Sequence, residues 1–135
     1  MGSRGEFFVM AMLLDLEEMV RRHKKGEDPF ELAIEKWVRI RDYLMKKADP
    51  ERYREAFHCG STKIIFCLDY KDHCPFCPME NVCFDSQSLY YQIMRSLQVY
   101  SLAGALLPRE PVIQLIESYI GDLRGYRDEW LKKSH

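Results

Sequence analysis

Amides, long apolar runs and any excess of one charge sign are all scarce in this chain of 135 residues. Asn81 is the one asparagine, and there are four glutamines (Gln87, Gln92, Gln98, Gln114) beside 20 basic and 21 acidic residues. Few amides with many charges is a bias of thermophile proteins. The longest stretch without a charge near the C-terminal half is Ser96 to Pro108, 13 residues. A membrane-spanning helix needs roughly 20. The net charge of −1 speaks against a strongly basic nucleic-acid binder or a polybasic membrane protein. No stretch of useful length alternates with strand period, except Lys63 to Leu68, and there is no internal repeat or low-complexity tract. Nothing follows a Ser/His/Asp order, a phosphate-binding glycine loop or a paired-carboxylate pattern. Glu17-Glu18 and Glu27-Asp28 read as helix-surface and capping residues. No reaction can therefore be assigned, and the chain leans away from being an enzyme.

What is present is an ordinary globular balance, 47% hydrophobic and 30% charged, which excludes a disordered or collagen-like chain. The length suits one domain spanning 1–135. Met1 to Phe7 resembles sequence encoded by cloning sites and enters no functional argument. Arg4 and the apolar run Phe7 to Leu14 have the order of a signal peptide. The run is short, however, and Asp15-Leu16-Glu17-Glu18 follows without a small-residue cleavage site. The expectation is a cytoplasmic protein.

The fold class expected is all-α, four to five helices packed around an irregular cysteine-rich metal-binding loop. Val9, Leu13, Leu16 and Val20 predict a first helix from about Phe7 to Lys25, stopped by Gly26. Asp28, Pro29 and Glu31 form a capping-box start for a second helix, with Ala33, Trp37, Ile40 and Leu44 facing the core. Asp49-Pro50-Glu51 opens a third helix to about His58, and Gly60 ends it. Asp85-Ser86 caps a fourth, with Leu89, Ile93, Leu97, Tyr100 and Leu107 on one face. Pro108 and Pro111 punctuate before a fifth, which carries Val112, Ile116, Tyr119, Leu123, Tyr126 and Trp130. Gly121 and Gly125 within it suggest close helix packing.

Residues 59–84 lack a helical period over their length and hold all five cysteines. Cys67, Cys74, Cys77 and Cys83 read C-x6-C-x2-C-x5-C. In a reducing compartment, thiolates this close argue for a metal rather than disulfides. Four sulfur ligands suit zinc or an iron–sulfur cluster. The short x2 chelate with longer x6 and x5 arms leans toward a cubane, because zinc sites more often pair two short spacings.

That spacing resembles the [4Fe–4S] loop of the endonuclease III and adenine-DNA-glycosylase family, and Cys74-Pro75-Phe76-Cys77-Pro78-Met79-Glu80-Asn81-Val82-Cys83 is locally similar to it. The resemblance covers residues 67–83. It implies that Cys67, Cys74, Cys77 and Cys83 ligate a [4Fe–4S] cluster. In the family the cluster closes the C-terminus of a DNA-binding catalytic domain. Here about fifty residues follow it. No helix-hairpin-helix glycine motif is present, and no Lys or Asp matches the family's catalytic positions. The first loop, Leu68-Asp69-Tyr70-Lys71-Asp72-His73, has two acids against one lysine, and acids repel phosphate. The cluster is carried over and the glycosylase activity is not.

The expected function is thus a small iron–sulfur protein whose cluster is structural or carries one electron. A structural or interaction module that binds zinc through the same four cysteines is the alternative. A nucleic-acid-associated accessory protein without glycosylase activity is the third reading. The expected partner is a protein, a redox partner where electrons move, with no membrane. Cys59 reads first as a buried thiol, then as a replacement ligand or redox partner. His58 and His73 flank the segment, but four thiolates leave no need for them as ligands. Arg52, Arg54 and Lys63 read as a solvated face before a nucleic-acid contact. Tyr90 and Tyr91 straddle core and surface.

Overall fold

The computed structural model describes residues 13–61, 88–103 and 106–133. Every regular element among them is a helix: α1 (Leu16–Lys24), α2 (Pro29–Lys46), α3 (Pro50–Ser61), α4 (Leu89–Ala103) and α5 (Glu110–Lys133). Among these residues no helix is long and apolar enough to cross a membrane.

Helix α1 begins at Leu16 and not at Phe7. Asp15 has an extended backbone, and its carboxylate accepts from the Glu18 amide at 2.7 Å. That cap satisfies an orphan N–H only if the helix starts there, so it overrides the apolar period running back through Leu13. Leu13 and Leu14 enter the core from outside the helix. Val9 lies outside the described residues. At the other end, Gly26 adopts φ +103°. The Glu27 amide reaches the Arg22 carbonyl at 3.2 Å and the Gly26 amide reaches the His23 carbonyl at 2.9 Å. This pair of bonds is a Schellman motif, whose left-handed residue favours glycine.

Asp28 caps α2 by accepting from the Phe30 and Glu31 amides at 2.7 and 3.2 Å, with Pro29 in the first turn. The expected capping box does not close. The Glu31 carboxylate instead pairs with Arg127 of α5, so a long-range charge takes the group that local bonding would use. Asp49 caps α3 by accepting from the Arg52 amide at 2.9 Å.

Helix α2 is the hub. Phe30, Leu32, Ala33, Ile34, Lys36, Trp37, Ile40, Tyr43 and Leu44 are buried, while Glu31, Asp42, Met45 and Lys46 mark its solvent side. It packs on α1, α3 and α5, while α3 packs on α4 and α4 on α5, so the last four helices close a ring. Ala56, Ile93, Leu97, Ile116 and Leu123 fill it at 0% exposure. Arg109, just before α5, donates to the Leu44 and Met45 carbonyls at 3.4 and 2.9 Å. It thereby satisfies orphan carbonyls at the end of α2. Leu107 leaves the expected α4 stripe, because the helix ends at Ala103 and Leu107 is exposed in the turn beyond. Pro111 sits inside the first turn of α5, where a missing N–H costs nothing. The Trp130 side chain and the stretch Lys63 to Leu68 lie outside what is described.

Two glycine readings are corrected. A Cβ on Gly121 or Gly125 would meet nothing within 4 Å, so neither mediates close packing. Gly60 does not end α3. It is buried within the helix, which continues to Ser61. The irregular segment therefore cannot begin at residue 59.

Candidate functional site

Residues 62–87 join the end of α3 to the start of α4, and the two helices pack together. Cys67, Cys74, Cys77, Cys83 and His73 lie in this interval, outside the described residues, as do Lys63 and the expected caps Asp85 and Ser86. Helix α4 starts later than those caps imply. Its first turn is held by Ser88, whose Oγ accepts from the Tyr91 amide at 3.3 Å.

The base from which the interval springs is built by α2, α3, α4 and α5 together. Tyr90 donates from its hydroxyl to the Gly60 carbonyl at 3.3 Å. This bond ties the second residue of α4 to the last turn of α3. Trp37 stands beneath it, edge-on to Tyr90 at 6.2 Å and to Tyr119 at 5.2 Å. Tyr90 and Tyr119 close the triangle at 6.1 Å. Such edge-to-face pairs add about 0.5–1.5 kcal/mol each beyond their area burial. Gly60 is required by this packing, since a Cβ there would lie 2.9 Å from Trp37 Cη2 and 3.1 Å from Met94 Sδ. Tyr90 thus has a structural part that its sequence position alone does not reveal. Tyr91 is 39% exposed, with its ring edge-on to that of Tyr90 at 6.0 Å.

Cys59 lies one residue before Gly60, in the last turn of α3. Its Sγ donates to the Leu14 carbonyl at 3.6 Å, and its side chain packs against the main core. Burial pushes its thiol pKa up, the nearby Lys36 ammonium pulls it down, and Asp15 raises it. A thiol held protonated is a poor nucleophile and a poor metal ligand. Lys36 itself is fully buried, a residue that sequence reasoning passed over. The signal lay in its spacing, since position 36 falls on the inner face between Ala33 and Ile40.

The remaining candidates serve packing or solvent. His58 is exposed, with its ring edge-on to Phe57 at 6.1 Å. Arg52 lays its guanidinium 4.4 Å from the centre of the Tyr43 ring and donates to the Tyr43 carbonyl at 3.0 Å. It is thus committed to the α2–α3 junction. Arg54 is exposed. Among the described residues no group of three or more His, Cys, Asp or Glu side chains could hold a metal ion.

A second polar cluster lies on the α1–α2 side. Arg22 donates to Glu27 at 2.6 Å and also pairs with Glu35, which Arg39 meets at 3.0 Å. The Arg22 hydrogen bond holds the Glu35 carboxyl below the usual carboxylate range, against a smaller desolvation effect. Arg22, Glu27 and Glu35 line an open cavity of about 500 Å³ with Asp28, Glu31, Ile34 and Val38. The carboxylates nearest Arg22 are engaged by arginines, so the cluster reads as a brace between α1 and α2.

Compared with protein-family models, curated proteins and solved structures, the chain has no match.

Proposed function

We propose that this chain is a small iron–sulfur protein that holds a [4Fe–4S] cluster on Cys67, Cys74, Cys77 and Cys83. The single observation that carries the reading is the spacing C-x6-C-x2-C-x5-C within 67–83. The donor set fits the group, since four thiolates supply soft ligands for each corner iron. When bound, such a cluster can exchange one electron or cross-link the chain that wraps it. The frame supports the reading in two ways. It holds residues 61 and 88 at one end of the α3–α4 pair, which lowers the entropy of closing the intervening chain. It also packs Cys59 against the core with its thiol on the Leu14 carbonyl, which suits a cysteine outside the ligand set.

The test is metal and acid-labile sulfide analysis of anaerobically purified protein. About four iron and four sulfide per chain are expected, with a brown colour. One zinc per chain without sulfide would replace this reading with the zinc module. A colourless, metal-free protein would end both. Salt-sensitive binding to DNA or RNA would be needed to revive the nucleic-acid reading.

A further inference from the structure

Helix α4 has one charged residue in its fifteen, Arg95. Its inner face is taken up by Ile93, Met94 and Leu97, which are buried. Its outer face runs Tyr91, Arg95, Val99, Leu102 at intervals of four, four and three. This is the spacing of one helical stripe. Tyr91 is 39% exposed, Val99 51% and Leu102 84%, and beyond the end of the helix Leu106 at 88% and Leu107 at 36% are exposed as well. A solvated helix face carries charges, as α5 does with Glu117, Arg124, Asp128, Glu129 and Lys132. The α4 stripe carries one, Arg95.

We infer that the outer face of α4 is a homodimer interface, occupied by a second copy of this chain in antiparallel register. The first argument is area. The five apolar side chains expose on the order of 500 Å² per copy, at the upper end for a patch on a monomer. The flanking Gln92, Arg95 and Gln98, all exposed, bring the strip close to the ~800 Å² per partner of a standard interface. The second argument is charge. One cation is too few to recognise an acidic peptide, and an anionic membrane calls for clusters of about four to eight Lys or Arg. A net charge of −1 leaves little repulsion between copies.

The third argument is self-complementarity. A two-fold axis between Gln98 and Val99 sets Arg95 of one copy along Leu102 of the other. The Arg95 stem can then cover the leucine while its guanidinium reaches water. The two Arg95 positions lie about 10 Å apart along the helix axis, one Debye length at ~0.1 M salt. Gln98 of each copy meets the other's at the centre, where amide can pair with amide. Parallel pairing would instead place Arg95 on Arg95.

The experiment is sedimentation equilibrium on the intact chain across the micromolar range. A concentration-dependent mass reaching twice the monomer's is expected. Leu102→Glu should weaken association about a hundredfold, because two-fold symmetry applies each substitution twice. Leu106→Glu should act in the same direction. Both sites are so exposed that the fold, checked by circular dichroism, does not depend on them. Leu131→Glu, at an exposed site on α5, should leave the dimer unchanged. A chain that stays monomeric throughout would overturn the proposal. So would a dimer indifferent to the substitutions at both Leu102 and Leu106, or a monomer that sediments with anionic vesicles.

Discussion

The two ends of α4 are built differently. At its N-terminal end Tyr90 is wedged among Trp37, Tyr119 and the Gly60 carbonyl. At its C-terminal end Val99 and Leu102 stand in solvent, as does Leu106 beyond it. The same helix thus places aromatic packing where the cysteine-bearing interval joins the bundle and leaves aliphatic surface bare at the other end. The lesson is about division of labour. Packing within the chain fixes the base of the interval, while the far end keeps the exposed apolar surface that the proposed second copy would bury.

The largest expected effect falls on the interval itself. Residues 62–87 have few apolar side chains at helical spacing, and structural metal sites can contribute about 10 kcal/mol or more to folding. Cluster loss by anaerobic chelation or oxidation should lower the melting temperature and loosen the α3–α4 junction while most far-UV helical signal remains. The helices keep their own caps and buried core. An unchanged melting temperature would mean the metal is incidental to the fold.

The next effect sharpens the contrast between packed and open surfaces by making one substitution at two kinds of site. Gly60→Ala drives a Cβ against the rigid Trp37 ring. It should destabilise by about 1–2 kcal/mol in urea unfolding, within the range for overpacking. Gly121→Ala and Gly125→Ala meet open space and should each stabilise by about 0.5–1 kcal/mol, the helix-propensity gain. Equal signs at residues 60 and 121 would break the distinction.

The smallest effect concerns the brace between α1 and α2. The Glu35 carboxyl is held below its ordinary value of 4.5 by the Arg22 hydrogen bond. A depressed folded pKa stabilises the protein above the unfolded value, and that contribution is lost as pH falls through the folded pKa. Thermal unfolding should therefore show a modest decline in stability below about pH 4.5, and Glu35→Gln should shrink it. Exposure keeps the effect small.

Much of the frame is legible in the residues. Asp28-Pro29 and Asp49-Pro50 announce helix starts because capping is local chemistry. Gly26 announces a stop because a left-handed residue is needed there. Ala33, Trp37, Ile40 and Leu44 announce a core face because burial follows the helical period. The failures share a cause. Gly60 reads as a helix stop until Trp37, 23 positions earlier, is seen to need its missing side chain. Glu31 reads as half of a capping box until Arg127 claims it from α5. The first helix reads too long because an apolar period continues past Asp15, whose cap ends it. Each failure is a contact, or a local bond, that periodicity does not encode. For the candidate site the division is sharper. The thiolate spacing is visible in the sequence, whereas the bond from Tyr90 to Gly60 and the buried Lys36 beside Cys59 appear only once the helices are packed.

The central claim is that four cysteines hold a cluster and the fifth packs the frame. Iron and labile-sulfide content should be measured on the anaerobically purified chain and on each single Cys→Ser variant. Substitution of Cys67, Cys74, Cys77 or Cys83 should strip or degrade the cluster, and Cys59→Ser should retain it in full. Full iron content in any of the first four variants, or its loss in the fifth, would contradict the account.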